Sequence, residues 1–191
     1  MIYAMRVIGS VIARLGSKRL PYKNLLPFCG VPLVRMGVLK LLSSDVVDEV
    51  VLSTESDLIA RQVSDLGIRI LKRPEALAGD KVPSVPVFRH IMEECYGDIH
   101  VNYNINFPLC DVSVIRRAVE IASTNSRGEA LSVPFAVWAQ TRQCLDNYGD
   151  PWDIRAEQFP DPGVLEPDVH TIEDLMEAHR RCEFGRGDRI A

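Results

Sequence analysis

Apolar residues along this chain fall into two alternating rhythms. Short β-branched runs at 6–13, 49–53, 68–71, 99–103 and 130–134 have the length and composition of buried strands. Between them, apolar positions recur every three to four residues, as an amphipathic helix requires. The stretch 32–44 carries Leu33, Val34, Val38, Leu41 and Leu42 at that spacing. Further helices are predicted over 57–66, 85–96 and 112–124. Gly67 is placed to stop the first of these, and Asp111 or Ser113 to cap the last. A closing helix is predicted over 172–182. Residues 135–167, rich in Gln, Asp, Pro, Trp and Tyr, follow neither rhythm and take no assignment.

Regular β–α alternation predicts an α/β fold: a mostly parallel, Rossmann-like sheet with helices on both faces. A chain of 191 residues fits one domain, 1–191, with an adequate core. In such sheets ligands sit beyond the carboxyl ends of the strands, so the loops that follow strands are where chemistry is sought.

Composition narrows the function classes. With 47% hydrophobic and 25% charged residues the chain is neither disordered nor collagen-like. A net charge of −4 gives no reason to expect a nucleic-acid or anionic-membrane partner. No apolar run approaches the ~20 residues that span a bilayer. The apolar start lacks a small-residue cleavage site and reads as a first strand, not a signal peptide. Cys29, Cys95, Cys110, Cys144 and Cys182 are scattered and form no C-x-x-C, so neither a zinc site nor a disulfide framework is indicated. The expectation is free thiols in a reducing, cytoplasmic setting. The tail EFGRGDRIA is expected to be mobile, and its R-G-D to be a chance tripeptide.

One loop concentrates the charge. Residues 13–24 read ARLGSKRLPYKN and directly follow the first strand. Arg14, Lys18, Arg19 and Lys23 supply cations, and Gly16 and Ser17 let the main chain approach a ligand. A triphosphate needs both features. The spacing of a Walker loop is absent. On charge alone, a solvated basic face is an equal reading; the position after strand one favours phosphate.

The run VIARLGSKRLPYKNLLPFCGVPLV resembles the signature of the CMP-sugar-acid synthetases, the acylneuraminate and 3-deoxy-manno-octulosonate cytidylyltransferases. VVDEVVLSTESDLIARQVSDLGIRILKRPEALAGDKVPS, with its R-P-x-x-L-A-x-D segment, VNYNINFPLCD and PDVHTIEDLMEA continue the likeness in order over about residues 6–125 and 165–180. The resemblance implies a nucleotide-diphospho-sugar transferase fold and CMP transfer from CTP to a sugar acid, with release of pyrophosphate. That is an activation step for cell-surface polysaccharides. A smaller acid such as a phosphonate, or a nucleotide-binding paralogue without turnover, is the alternative. By the same resemblance the loop Ala13, Arg14, Leu15, Gly16, Ser17 and Lys23 holds the triphosphate, with Arg14 and Lys23 as the catalytic cations. Asn24 and Arg73 read the cytosine. Ser84 supports the nucleotide, or equally caps the helix that follows it. Mg²⁺ is the implied cofactor.

The chain departs from the family pattern at the metal positions. Asp168 matches the first acid of the closing D-x-D-T motif, but His170 replaces the second. Asn106 stands where the octulosonate branch has Asp, and Asn104 where a Gln is expected; both are expected to contact the nucleotide. Mg²⁺ held by Asp168 and the triphosphate, or Mn²⁺ with His170, are the options. His170 also reads as a plain helix-start residue. Residues 135–167 lack the family's longer acceptor and dimer arm, which weakens the expectation of a homodimer. Within them Arg142 and Arg155 are either clamps for an acceptor carboxylate or surface arginines. Trp138 and Trp152 either wall a pocket or belong to the core.

Overall fold

The computed structural model describes residues 5–151 and 156–184. Its strands are β1 (Val7–Ile12), β2 (Pro27–Phe28), β3 (Val31–Pro32), β4 (Glu49–Thr54), β5 (Arg69–Lys72), β6 (Ile99–Tyr103), β7 (Glu129–Val133), β8 (Val137–Thr141) and β9 (Glu157–Pro160). Its helices are α1 (Leu33–Leu42), α2 (Asp57–Arg61), α3 (Ser84–Glu94), α4 (Ser113–Thr124), α5 (Arg142–Asp146) and α6 (Ile172–Phe184). Seven strands form one sheet in the order β5-β4-β1-β6-β8-β7-β9, and β2 and β3 form a separate hairpin. Strands β5, β4, β1 and β6 run parallel, as do β7 and β9, while β8 runs antiparallel between β6 and β7. The predicted Rossmann-like α/β architecture is the one observed.

Alternation along β1 explains the two layers. Val7 and Val11 face one side, where α1 and α4 bury Val34, Val38, Leu41, Val114, Ile115 and Ala118. Ile8 faces the other, against Val85, Phe88 and Ile91 of α3 and Leu145 of α5. A strand buried on both faces needs apolar residues or polar ones with internal partners: β1 has four aliphatic residues and Gly9, and its one polar residue, Ser10, bonds His100 and Asn102. Gly37 lets α1 lie close to the sheet: a Cβ there would stand 2.3 Å from Ile105 Cγ2. A third cluster packs α6, through Leu175 and Ala178, and Val169 just before it, on Leu20, Phe28, Leu33 and Met36.

Four expectations need correction. Residues 135–167 are not irregular throughout, since they contain β8, α5 and β9. The stretch Val137–Thr141 pairs with β6 over five residues and with β7 over three, so sheet contacts settle a segment whose local pattern is weak. The helix over 57–66 ends at Arg61, after which Gln62, Val63 and Leu66 bond back three residues in tight turns to Gly67 at φ +67°. Ser84 is not a cap: Pro83 holds that position, and no side-chain cap is made. Nor are all five cysteines free. Cys29 and Cys182 form a disulfide across 153 residues of sequence, because α6 packs on the β2–β3 hairpin. Spacing along the chain cannot reveal such a pair. Cys95, Cys110 and Cys144 are free. Arg155, Trp152 and the tail 185–191 lie outside the described residues.

Candidate functional site

The charged loop lies at the carboxyl end of β1. Ala13 continues β1, its N–H bonding Ser53 O of β4 at 3.1 Å. The Leu15 N–H donates to Glu55 Oε1 at 2.7 Å, and Asn24 Nδ2 donates to Arg14 O at 2.8 Å. These contacts fold 13–24 back over the strand ends. A 3-10 turn at Lys23–Leu25 then aims Lys23 inward.

A cavity of about 420 Å³ opens here, lined by Arg14, Gly16, Ser17, Lys18, Arg19, Lys23, Asn24, Asp80, Asn104, Asn106 and His170, with Ile12 and Ile105 as apolar walls. Eight of the sequence-predicted residues therefore converge: Arg14, Gly16, Ser17, Lys23, Asn24, Asn104, Asn106 and His170. Ala13, Leu15, Arg73, Ser84 and Asp168 do not line it. A larger cavity, about 830 Å³, lies near the start of β7 and the end of β8, beside Glu129 and Cys144. It contains none of these residues.

Each cation already has an internal partner. Arg14 and Lys18 both engage the Asp80 carboxylate. Arg19 Nη2 lies 2.6 Å from His170 Nδ1, and His170 Nε2 lies 2.9 Å from Asp168 Oδ2. Lys23 Nζ donates to Asn106 Oδ1 and, at 3.0 Å, to Val169 O. Burial lowers the Lys23 pKa to about 8, although nearby Asp168 opposes the shift. Hydrogen bonding from Lys18, with the charge of Arg14 alongside, holds Asp80 below the usual carboxylate range.

Arg73 lies beneath the cavity, 6% exposed. Its guanidinium donates to Ser53 Oγ at 3.1 Å, to Ser53 O and to Ala13 O. Burial lowers its pKa. At the start of α6, Asp174 accepts from the His170 and Thr171 N–H groups at 2.9 and 2.8 Å, which holds its carboxyl below the usual range. His170 is thus fixed at both its backbone and its ring.

Two residues of the site escaped the sequence reading. Asp80 ends the R-P-x-x-L-A-x-D segment, so its position was visible but its pairing with Arg14 was not. Glu55 follows β4, and only the fold brings it under Leu15. Arg142 is neither a clamp nor a surface arginine, because it donates to Gly97 O, Met92 O and Cys95 O at the end of α3. Trp138 is partly buried, packing at 5.5 Å on Phe88 at the edge of the core and bonding Glu129.

A sequence profile described as cytidylyltransferase matches residues 8–149, three quarters of the chain. This chain belongs to the cytidylyltransferase family. It is 28% identical over 163 residues to a CMP-N,N'-diacetyllegionaminic acid synthase of Legionella pneumophila, covering 82% of this chain and 69% of that protein. It is 29% identical over 123 residues to a pseudaminic acid cytidylyltransferase of Campylobacter jejuni, covering 61% of this chain and 53% of that one. The chain thus spans about half to two-thirds of the length of these curated relatives. The solved structure of a CMP:2-keto-3-deoxy-manno-octonic acid synthetase complexed with CTP superimposes with a TM-score of 0.76, over 94% of this chain and 99% of that one, at 16% identity. At that identity the likeness speaks for the fold of this cytidylyltransferase-family member.

Proposed function

We propose that this protein transfers CMP from CTP to a hydroxyl or acid group of a sugar acid, releasing pyrophosphate. The observation that carries the reading is the convergence of Arg14, Lys18, Arg19 and Lys23 on one cavity at the carboxyl end of the sheet. Four fixed cations suit the roughly four negative charges of a nucleoside triphosphate. Lys23 neutralises charge at the α-phosphate as it is attacked, Arg14 takes up the charge that develops on the departing pyrophosphate, and Ser17 with the loop N–H groups orients the phosphate chain. Asn24 holds Arg14 O in place. Arg73, buried and bonded to Ser53 and Ala13, braces the strand ends behind the site. The acceptor class, a nonulosonate or octulosonate, is supported by the names of the curated relatives; a smaller acid such as a phosphonate is the alternative.

The residues present fit a divalent ion held lightly. Asp168 Oδ1 is buried and has no hydrogen-bond partner, a donor position suited to a cation. Among the described residues no cluster of three His, Cys, Asp or Glu exists. One carboxylate, with phosphate oxygens and water, would hold Mg²⁺; with His170 as a further ligand the site suits Mn²⁺. Such an ion supplies charge neutralisation at the phosphates.

Calorimetric titration of CTP, UTP, GTP and ATP, each with and without Mg²⁺ and Mn²⁺, tests the reading, followed by pyrophosphate release with acidic acceptors. Selective, metal-enhanced CTP binding with acceptor-dependent release is the expected result. Metal-indifferent binding without turnover would identify a nucleotide-binding paralogue instead, and no nucleotide binding would refute the proposal.

A further inference from the structure

Asp80 lies in an exposed turn, yet it joins two of the loop cations at once. Its carboxylate bridges the Arg14 guanidinium and the Lys18 ammonium of one loop, although Asp80 lies 66 positions from Arg14 in sequence. The bridge has the charge and acceptor geometry of a bound phosphate. The turn that carries it is built to let go: Gly79, Asp80 and Lys81 are all exposed, and only the Val82 N–H to Gly79 O bond, 3.1 Å, closes it.

We infer that Asp80 is an internal stand-in for the pyrophosphate end of the nucleotide. It occupies Arg14 and Lys18 while the cavity is empty, gives way to the β- and γ-phosphates, and returns as pyrophosphate departs. This inference rests on the proposed use of the cavity for CTP. Its physical ground is competition: an anion that takes these cations must first break two charge-assisted contacts, so the empty state lowers apparent affinity by that factor. Two consequences follow for turnover. The cations stay preorganised and do not collapse into other contacts, and the leaving group meets a rival ready to replace it. CMP, lacking the two outer phosphates, leaves Asp80 in place.

The test measures affinities of CTP, inorganic pyrophosphate and CMP for the wild type, Asp80→Asn and Asp80→Ala. Both substitutions fall in an exposed turn with no buried side chain. The expected result is tenfold or more tightening for CTP and pyrophosphate in both variants, with CMP changed less than twofold, and stronger product inhibition by pyrophosphate. Equal tightening for CMP, or no tightening, would overturn the inference while leaving the proposed function standing. Weaker CTP binding would also overturn it, showing that Asp80 assists the ligand. A wild type that binds neither CTP nor pyrophosphate would remove both this inference and the proposed function.

Discussion

Under the proposed function, Lys23 is the side chain whose surroundings bear most directly on phosphate binding. Its ammonium is half-buried between Asn106 Oδ1 and Val169 O, and burial lowers its pKa to about 8. Neutral acceptors satisfy its protons but do not balance its charge, and an arriving phosphate does. Lys23→Ala is therefore expected to weaken CTP binding by more than tenfold, because a charge-assisted contact is worth ~1.5–3 kcal/mol. Calorimetry decides it, and an unchanged affinity would remove Lys23 from the phosphate site. His100 is the opposite case, a titratable group sealed from any ligand. It is fully buried beside Phe88, with Ser10 Oγ at 2.8 Å from Nε2 and Gln140 Oε1 at 3.2 Å from Nδ1. Burial lowers its pKa to about 4 against an ordinary 6.5, despite the Gln140 bond. The unfolded chain binds the proton first as pH falls, so the stability His100 contributes is present above about 6.5 and lost toward 4. The loss is on the order of 3 kcal/mol. Thermal unfolding between pH 7 and 4 should show this decline, and His100→Gln should flatten it; an unflattened profile would assign the decline elsewhere.

At the scale of elements, the sequence made legible what local rhythm can express. Strands β1, β4, β5, β6 and β7 and helices α1, α3, α4 and α6 follow from apolar spacing, to within a residue or two at most ends. The charged loop at the cavity was legible too, from charge set against a strand end. What stayed hidden depends on partners distant in sequence. Strand β8 is short and gains its identity from β6 and β7 on either side. Asp80 and Glu55 acquire their roles only when β4 and the turn after β5 arrive beside β1. The Cys29–Cys182 tie, which removes the support that the cysteines gave to a reducing compartment, is the clearest example. It anchors α6 to the β2–β3 hairpin, alongside the ring contact of Phe28 with His179 at 5.1 Å. It closes most of the chain into a loop, so cross-linking restricts the unfolded ensemble strongly. Reduction, or Cys182→Ser, is expected to lower the unfolding free energy by ~2–4 kcal/mol in denaturant titration. A midpoint unmoved by reductant would mean that packing alone holds α6.

Across the whole molecule, two charge patterns act on an incoming nucleotide with opposite sign. The chain carries a net charge of −4, which repels a triphosphate at a distance. The cavity gathers Arg14, Lys18, Arg19 and Lys23, which attract it at contact. Salt screens both, over a length of about 10 Å at 0.1 M and about 3 Å at 1 M. The sign of the salt response therefore reports which pattern governs binding. If long-range repulsion dominated, added salt would tighten CTP binding. If the cavity dominates, salt weakens it, because anions compete for the same cations and screening shortens their reach. The internal partners sharpen the expectation: Asp80 already offsets half of the Arg14 and Lys18 charge in the empty site, so a ligand with several charges gains most by replacing it. We expect CTP affinity to fall about tenfold or more between 50 mM and 500 mM salt, and CMP affinity to fall far less, in titrations with a fixed divalent ion. A flat response for both would place the phosphates away from this cavity. Tightening with salt would show that the global charge outweighs the four cations, and that the loop at 13–24 is a solvated basic face after all.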